Sequence, residues 1–153
     1  MTPAVTLLLL IGQACNTKTE TKKETMKADK NELNTIFPKG KKGTEEWFTG
    51  NAYYIALVEA DSIHTTLAGN VYFEPKARSH WHTHPSGQIL IITDGVGYHQ
   101  IEGQEIEVLK KGDVVKCPPN VKHWHGASSD VGLQQLGIVE WMEPVTDEVY
   151  NAK

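Results

Sequence analysis

Residues 81–88 read Trp81-His82-Thr83-His84-Pro85-Ser86-Gly87-Gln88 and run directly into Ile89-Leu90-Ile91-Ile92. Side chains two apart in a strand share a face, so His82 and His84 point the same way. Pro85 and Gly87 then turn the chain, and Gln88 opens a new strand that can return to the same spot. Two imidazoles and an amide oxygen converging there form a plausible ligand set for a borderline divalent metal. The run that follows is apolar on both faces, so both sides of that strand should be covered, one by a barrel interior and the other by a sheet edge or a partner subunit.

Working outward, the chain reads as strand upon strand. Alternating or β-branched runs at 53–59, 63–73, 79–83, 88–93, 96–101, 105–109, 113–117, 123–127 and 133–140 are divided by turn signals. Those signals include Asp94-Gly95, Glu102-Gly103, Lys111-Gly112 and Pro118-Pro119-Asn120. Many short strands at this spacing predict an all-β sandwich or closed barrel rather than an α/β protein.

A second stretch, Gly112-Asp113-Val114-Val115-Lys116-Cys117-Pro118-Pro119-Asn120-Val121-Lys122-His123-Trp124-His125, puts another H-x-H pair at a strand start. Its approach is a turn in which Asn120 can take a positive φ. Together the two stretches resemble the paired signature motifs of the cupin superfamily. The first motif is H-x-H, three residues, an acidic or amide ligand, six residues and Gly, which here is His82, His84, Gln88 and Gly95. The second is Gly, five residues, Pro, a turn and His, matched by Gly112, Pro118 and His123. Lys76 and Asn120 stand where those motifs usually carry Gly, and Ala127 where they end in Asn. The resemblance implies a double-stranded β-helix, or jelly-roll barrel, with one divalent metal on His82, His84, Gln88 and His123.

Gln88 supplies oxygen without negative charge, where most metal cupins have Glu. Neutral ligands leave the cation's full charge in the cavity, which favours Lewis-acid chemistry over the higher oxidation states of oxygen-activating iron. His125 shares a face with His123 and should line the same cavity. A fifth ligand, an orienting partner and a catalytic proton carrier are all open to it. By parity His80 falls near the rim. His64 and His99 have no motif around them and read as surface residues. Trp81 and Trp124 alternate outward from the ligands and should pack between sheets.

A narrower resemblance spans roughly residues 47–150. Phe73-Glu74-Pro75, Ala77-Arg78, W-H-T-H-P-x-G-Q, G-D-V-V, H-W-H-G-A and Trp141-Met142-Glu143-Pro144-Val145-Thr146-Asp147-Glu148 with Tyr150 are similar to small bacterial cupins. Some of these are manganese-dependent hydroxynitrile lyases. That family implies Mn²⁺ on the four ligands, with Fe, Ni or Zn also suited to such a set, and His125 as the catalytic proton carrier. In that family the cation takes a cyanohydrin oxygen while cyanide leaves. Where those lyases have a further cavity histidine on the next strand, this chain has Gln135. An Fe²⁺ dioxygenase and a non-catalytic envelope module binding metal or a small ligand are the alternative functions.

The chain of 153 residues suits one folded unit, and its net charge of −4 with interspersed signs gives no electrostatic case for nucleic acid. No run reaches the 18 apolar residues a spanning helix needs. The apolar run V-T-L-L-L-L-I at 5–11, followed by Gly12-Gln13-Ala14-Cys15, resembles a bacterial lipoprotein signal. On that reading 1–14 is a signal peptide, Cys15 is lipidated, 15–35 is a disordered Thr/Lys/Glu-rich tether and 36–153 is the cupin domain. The protein would then be exported to the cell envelope or periplasm; a cytoplasmic location is the alternative. Membrane association would come only through that lipid, with a small molecule as substrate and a second copy as partner in a homodimer. Cys117 reads as a small core residue.

Overall fold

The computed structural model describes residues 33–140. The signal-like segment, Cys15, most of the tether and the tail beyond Glu140 lie outside the described residues. Ten strands are present: β1 (Lys41–Lys42), β2 (Phe48–Thr49), β3 (Ala52–Val58), β4 (Thr66–Phe73), β5 (Arg78–Ser79), β6 (Gln88–Ile101), β7 (Glu107–Lys110), β8 (Val114–Cys117), β9 (His123–Ala127) and β10 (Leu133–Glu140). Every pairing between them is antiparallel, and no helix occurs among the described residues. This is the expected all-β barrel.

Strand β6 joins the two walls. Its first half, from Gln88, pairs with β10 and β8, while its second half, Val96 onward, pairs with β9 and β7. The Asp94-Gly95 signal predicts a turn with a strand on either side. Instead the chain continues through that point, because the left-handed φ of 90° at Gly95 lets it change walls without reversing. The register against β10 shifts between Gln134 and Gln135 beside this corner, as a bulge at a barrel edge does. A Cβ on residue 95 would overlap the Gly132 carbonyl. Gly95→Ala should therefore cost about 2–4 kcal/mol, combining left-handed strain with a backbone clash. Thermal unfolding should show Tm lowered by about 10 °C or more, at roughly 4–8 °C per kcal/mol for a small domain.

The core at one end of the barrel comprises Ala52, Phe73, Ala77, Ile92, Leu109, Ala127 and Leu133. Phe48 meets Phe73 edge-on with ring centroids 5.8 Å apart, and Phe73 in turn meets His125 edge-on at 5.7 Å. The apolar core thus abuts the histidines directly. On β6, Leu90 and Ile92 are buried while Ile89 on the other face is 40% exposed, so the described residues cover only one side of this strand fully. Leu33 lies near Gly132, the Asn34 amide donates to Asp94, and Gln134 bonds Ile36 and Phe37. The chain before β1 is therefore laid along the outer face of the sheet.

Candidate metal centre

Strand β5 ends at Ser79, short of the strand expected over 79–83. His82 is held instead by one isolated bridge to His123, in which each backbone N–H donates to the other's carbonyl at 2.9 Å. The Asn120 amide donates to the His84 carbonyl at 2.9 Å, and the Gly87 amide closes the turn onto the same carbonyl at 3.1 Å. The two histidine segments are thus stitched together through their backbones before any side chain acts. Asn120 has the predicted positive φ, 58°, and Lys76, at the other position where the motif usually has Gly, has φ 72°. The left-handed conformation that explains Gly in the motif is retained here by residues that bear the steric cost.

The ring geometry follows from this backbone. His82 Nδ1 donates to the His80 carbonyl at 2.8 Å and His123 Nδ1 to the Val121 carbonyl at 2.9 Å. A carbonyl oxygen only accepts, so both rings carry their proton on Nδ1 and present a bare Nε2. His123 Nε2 lies 3.1 Å from Gln88 Oε1, so two lone pairs face each other. That contact is unfavourable by itself and is relieved by a cation held between them. His84 Nε2 and His125 Nε2 are buried and have no hydrogen-bond partner. The donor set therefore fits a divalent metal.

One ligand atom from each of His82, His123 and His125 lies within 4.8 Å of the others. Histidine nitrogens gathered this closely can bind a metal ion. Of the residues expected from sequence, Gln88 reaches this cluster through His123. The His84 ring lies beside it, with centroids 5.1 Å from His82 and 5.8 Å from His123, but outside the tight trio. Burial lowers the pKa of all four rings, and neighbouring imidazoles add to the effect. His84 falls to about 3 and His123 to about 4. All four are neutral near pH 7, as metal ligation requires.

A cavity of about 200 Å³ opens over the histidines. Its walls include Trp47, Phe48, Tyr54, Ile55, Leu67 and Trp81, with His82, His84, Gln88 and His125 also lining it. His80 sits exposed at the edge, bonded to Thr49 at 3.2 Å, as its parity implied. Trp81 differs from expectation. It meets Trp124 edge-on but also lines the cavity, since the strand alternation that turned it outward stops at Ser79. His99, read as a surface residue, is 1% exposed. It shares the inward parity of Gly97 on β6 and links Glu107, through Nδ1 at 3.0 Å, to Cys117 Sγ at 3.2 Å. Cys117 is buried as expected, and desolvation pushes its thiol up to about 12. The wall from β2 gave no sequence signal, because Trp47-Phe48 is too short a run to show a period.

A barrel of this topology with paired H-x-H segments defines a class, and the comparisons agree. Residues 69–138 match the cupin domain model. The chain is 44% identical over 118 residues to (R)-mandelonitrile lyase of Granulicella tundricola, covering 72% of this chain and 90% of that protein. This chain belongs to the cupin family. Among solved structures, a cupin-like protein from Thermotoga maritima is 47% identical with a TM-score of 0.68, over 76% of this chain and 95% of that one. A cupin 2 conserved barrel domain protein from Rhodopseudomonas palustris, 20% identical with a TM-score of 0.57 over 65% and 69% of the two chains, shares the fold.

Proposed function

We propose that this protein is a manganese-dependent lyase that cleaves a small neutral hydroxynitrile into a carbonyl compound and hydrogen cyanide. The observation that carries the reading is the set of neutral donors, His82, His84, Gln88 and His123, beneath a mostly apolar, aromatic cavity in whose lining Glu46 is the one carboxylate. His82, His84, Gln88 and His123 would hold the cation. Bound there, it supplies Lewis acidity toward a hydroxyl or carbonyl oxygen. The relative named (R)-mandelonitrile lyase supports an aryl cyanohydrin as the compound to test first.

The chain's own part is positioning and proton handling. The aromatic walls take an apolar substituent and keep water from the reacting carbons. In cleavage the bond between the carbinol carbon and the nitrile carbon breaks, and its electron pair leaves with cyanide. The hydroxyl loses its proton as the carbonyl forms, and cyanide gains one. His125 Nε2, buried at the cluster, is the exchange point: the proton it holds passes to cyanide as the hydroxyl proton takes its place.

The test is turnover of mandelonitrile by protein whose metal content is measured in parallel. Activity should vanish with chelator and return with Mn²⁺. His125→Ala should keep one metal per chain and lose about 100-fold or more in kcat, the usual worth of a positioned proton carrier. Full activity in that variant removes His125 from the chemistry. Oxygen uptake by iron-loaded protein would instead favour a dioxygenase. Retained metal without turnover across a carbonyl and hydroxyl panel would favour a binding module.

A further inference from the structure

Gln135 is wholly buried on β10, and its Nε2 lies 2.8 Å from His125 Nδ1. An amide nitrogen only donates, so His125 Nδ1 accepts. An imidazole that accepts at Nδ1 is neutral and carries its single proton on Nε2. Gln135 Oε1 is left without a partner. Reversing the amide would orphan both of its N–H groups instead, and buried orphan donors are rarer than under-used carbonyls. The placement of His125 is also set from two other sides. Its backbone N–H donates to Ser79 Oγ at 3.1 Å, and Phe73 packs against the ring edge-on.

We propose that Gln135 is a positioning residue that fixes the Nε2–H tautomer of His125, making His125 a hydrogen-bond donor into the cluster and not a metal ligand. His82 and His123 have the opposite tautomer, with bare Nε2 atoms inward. An N–H aimed at those lone pairs complements them, where a third bare nitrogen would repel them. Nitrogen that bears a proton cannot coordinate a cation, so the compact trio of His82, His123 and His125 is not the ligand set. The remaining nitrogen place falls to His84, whose Nε2 has no hydrogen-bond partner. The tautomer stands on hydrogen bonding alone. Its consequence, an N–H presented to substrate oxygen or to departing cyanide, rests on the lyase reading above.

Nitrogen NMR of the full chain labelled with ¹⁵N-histidine tests this, metal-free and after loading with diamagnetic Zn²⁺. His125 should show a proton-bearing Nε2 and a bare Nδ1 in both states, while zinc shifts the ring nitrogens of His82, His84 and His123. In Gln135→Glu, a carboxylate beside Nδ1 accepts, and the His125 proton should move to Nδ1. A bare Nε2 on His125 in the unaltered protein overturns the proposal, as does loss of the Nε2 proton on zinc binding. So does an unchanged tautomer in folded Gln135→Glu, and if that variant does not fold, the unaltered protein still decides. The expected spectrum with no turnover would sink the lyase reading and leave the tautomer standing.

Discussion

His123→Ala should purify folded but without stoichiometric metal, and its lyase turnover should fall to the level of chelated protein. His123 is fully buried at the start of β9, with Nε2 facing Gln88 Oε1 and Nδ1 fixed by the Val121 carbonyl. No other histidine is placed to substitute for it, because His125 is committed to Gln135 through Nδ1 and His99 is engaged by Glu107 and Cys117. Even partners behind a ligand are worth about 10- to 100-fold in metal affinity, so removal of a ligand should exceed about 100-fold. The fold should survive, since the two bonds exchanged with His82 run through the backbone and need no imidazole. Elemental analysis after dialysis, read beside circular dichroism, measures both halves. A folded His123→Ala protein that retains one metal per chain would remove this residue from the ligand set.

Much of the architecture could be read in advance, for identifiable reasons. Strands β9 and β10 each follow clear turn residues, Pro118-Pro119-Asn120 and Asp130 with Gly132, and their limits agree with the sequence reading. The motif intervals point to the histidines that gather, because spacing is a geometric constraint the chain records directly, although the tightest group holds His125 with His82 and His123 while the His84 ring lies beside it. What could not be read depended on long-range packing. Whether Asp94-Gly95 reverses the chain or carries it into the second wall is decided by Gly132 and the β10 register, 37 residues or more away in sequence. The cavity wall at Trp47 and Phe48 is similarly defined by what β2 packs on. His99 is a different kind of miss. The buried positions of β6 change from even, Leu90 and Ile92, to odd, Gly97 and His99, at the Gly95 corner, so alternation alone turns His99 outward.

Metal-free protein should lose stability steeply as pH falls below about 6.5, the ordinary range of histidine in an unfolded chain. The sign follows from the direction of the shifts. Burial and mutual repulsion depress the folded-state values, to about 4 for His123 and about 3 for His84, with His82 and His125 also lowered. Between pH 6.5 and those values the unfolded chain binds more protons than the folded one, so acid favours unfolding; below about 3 the His84 contribution levels off. Each ring contributes at most about 1.4 kcal/mol per pH unit, so by pH 5 several rings together oppose folding by several kcal/mol. That is a large share of the roughly 5–15 kcal/mol that stabilises a typical domain. Carboxylates such as Glu74, held below its usual value by Lys39, do not titrate until lower pH, so the interval from 6.5 to 5 isolates the imidazoles. Bound metal stabilises the folded state by mass action and should raise Tm at both ends of the interval. Thermal melts of chelated protein at pH 7, 6 and 5 should show a falling Tm, with a shallower slope in His84→Ala and His123→Ala because each has one fewer buried ring to protonate. A Tm unchanged between pH 7 and 5 in the chelated protein would mean that these histidines are not held neutral by burial.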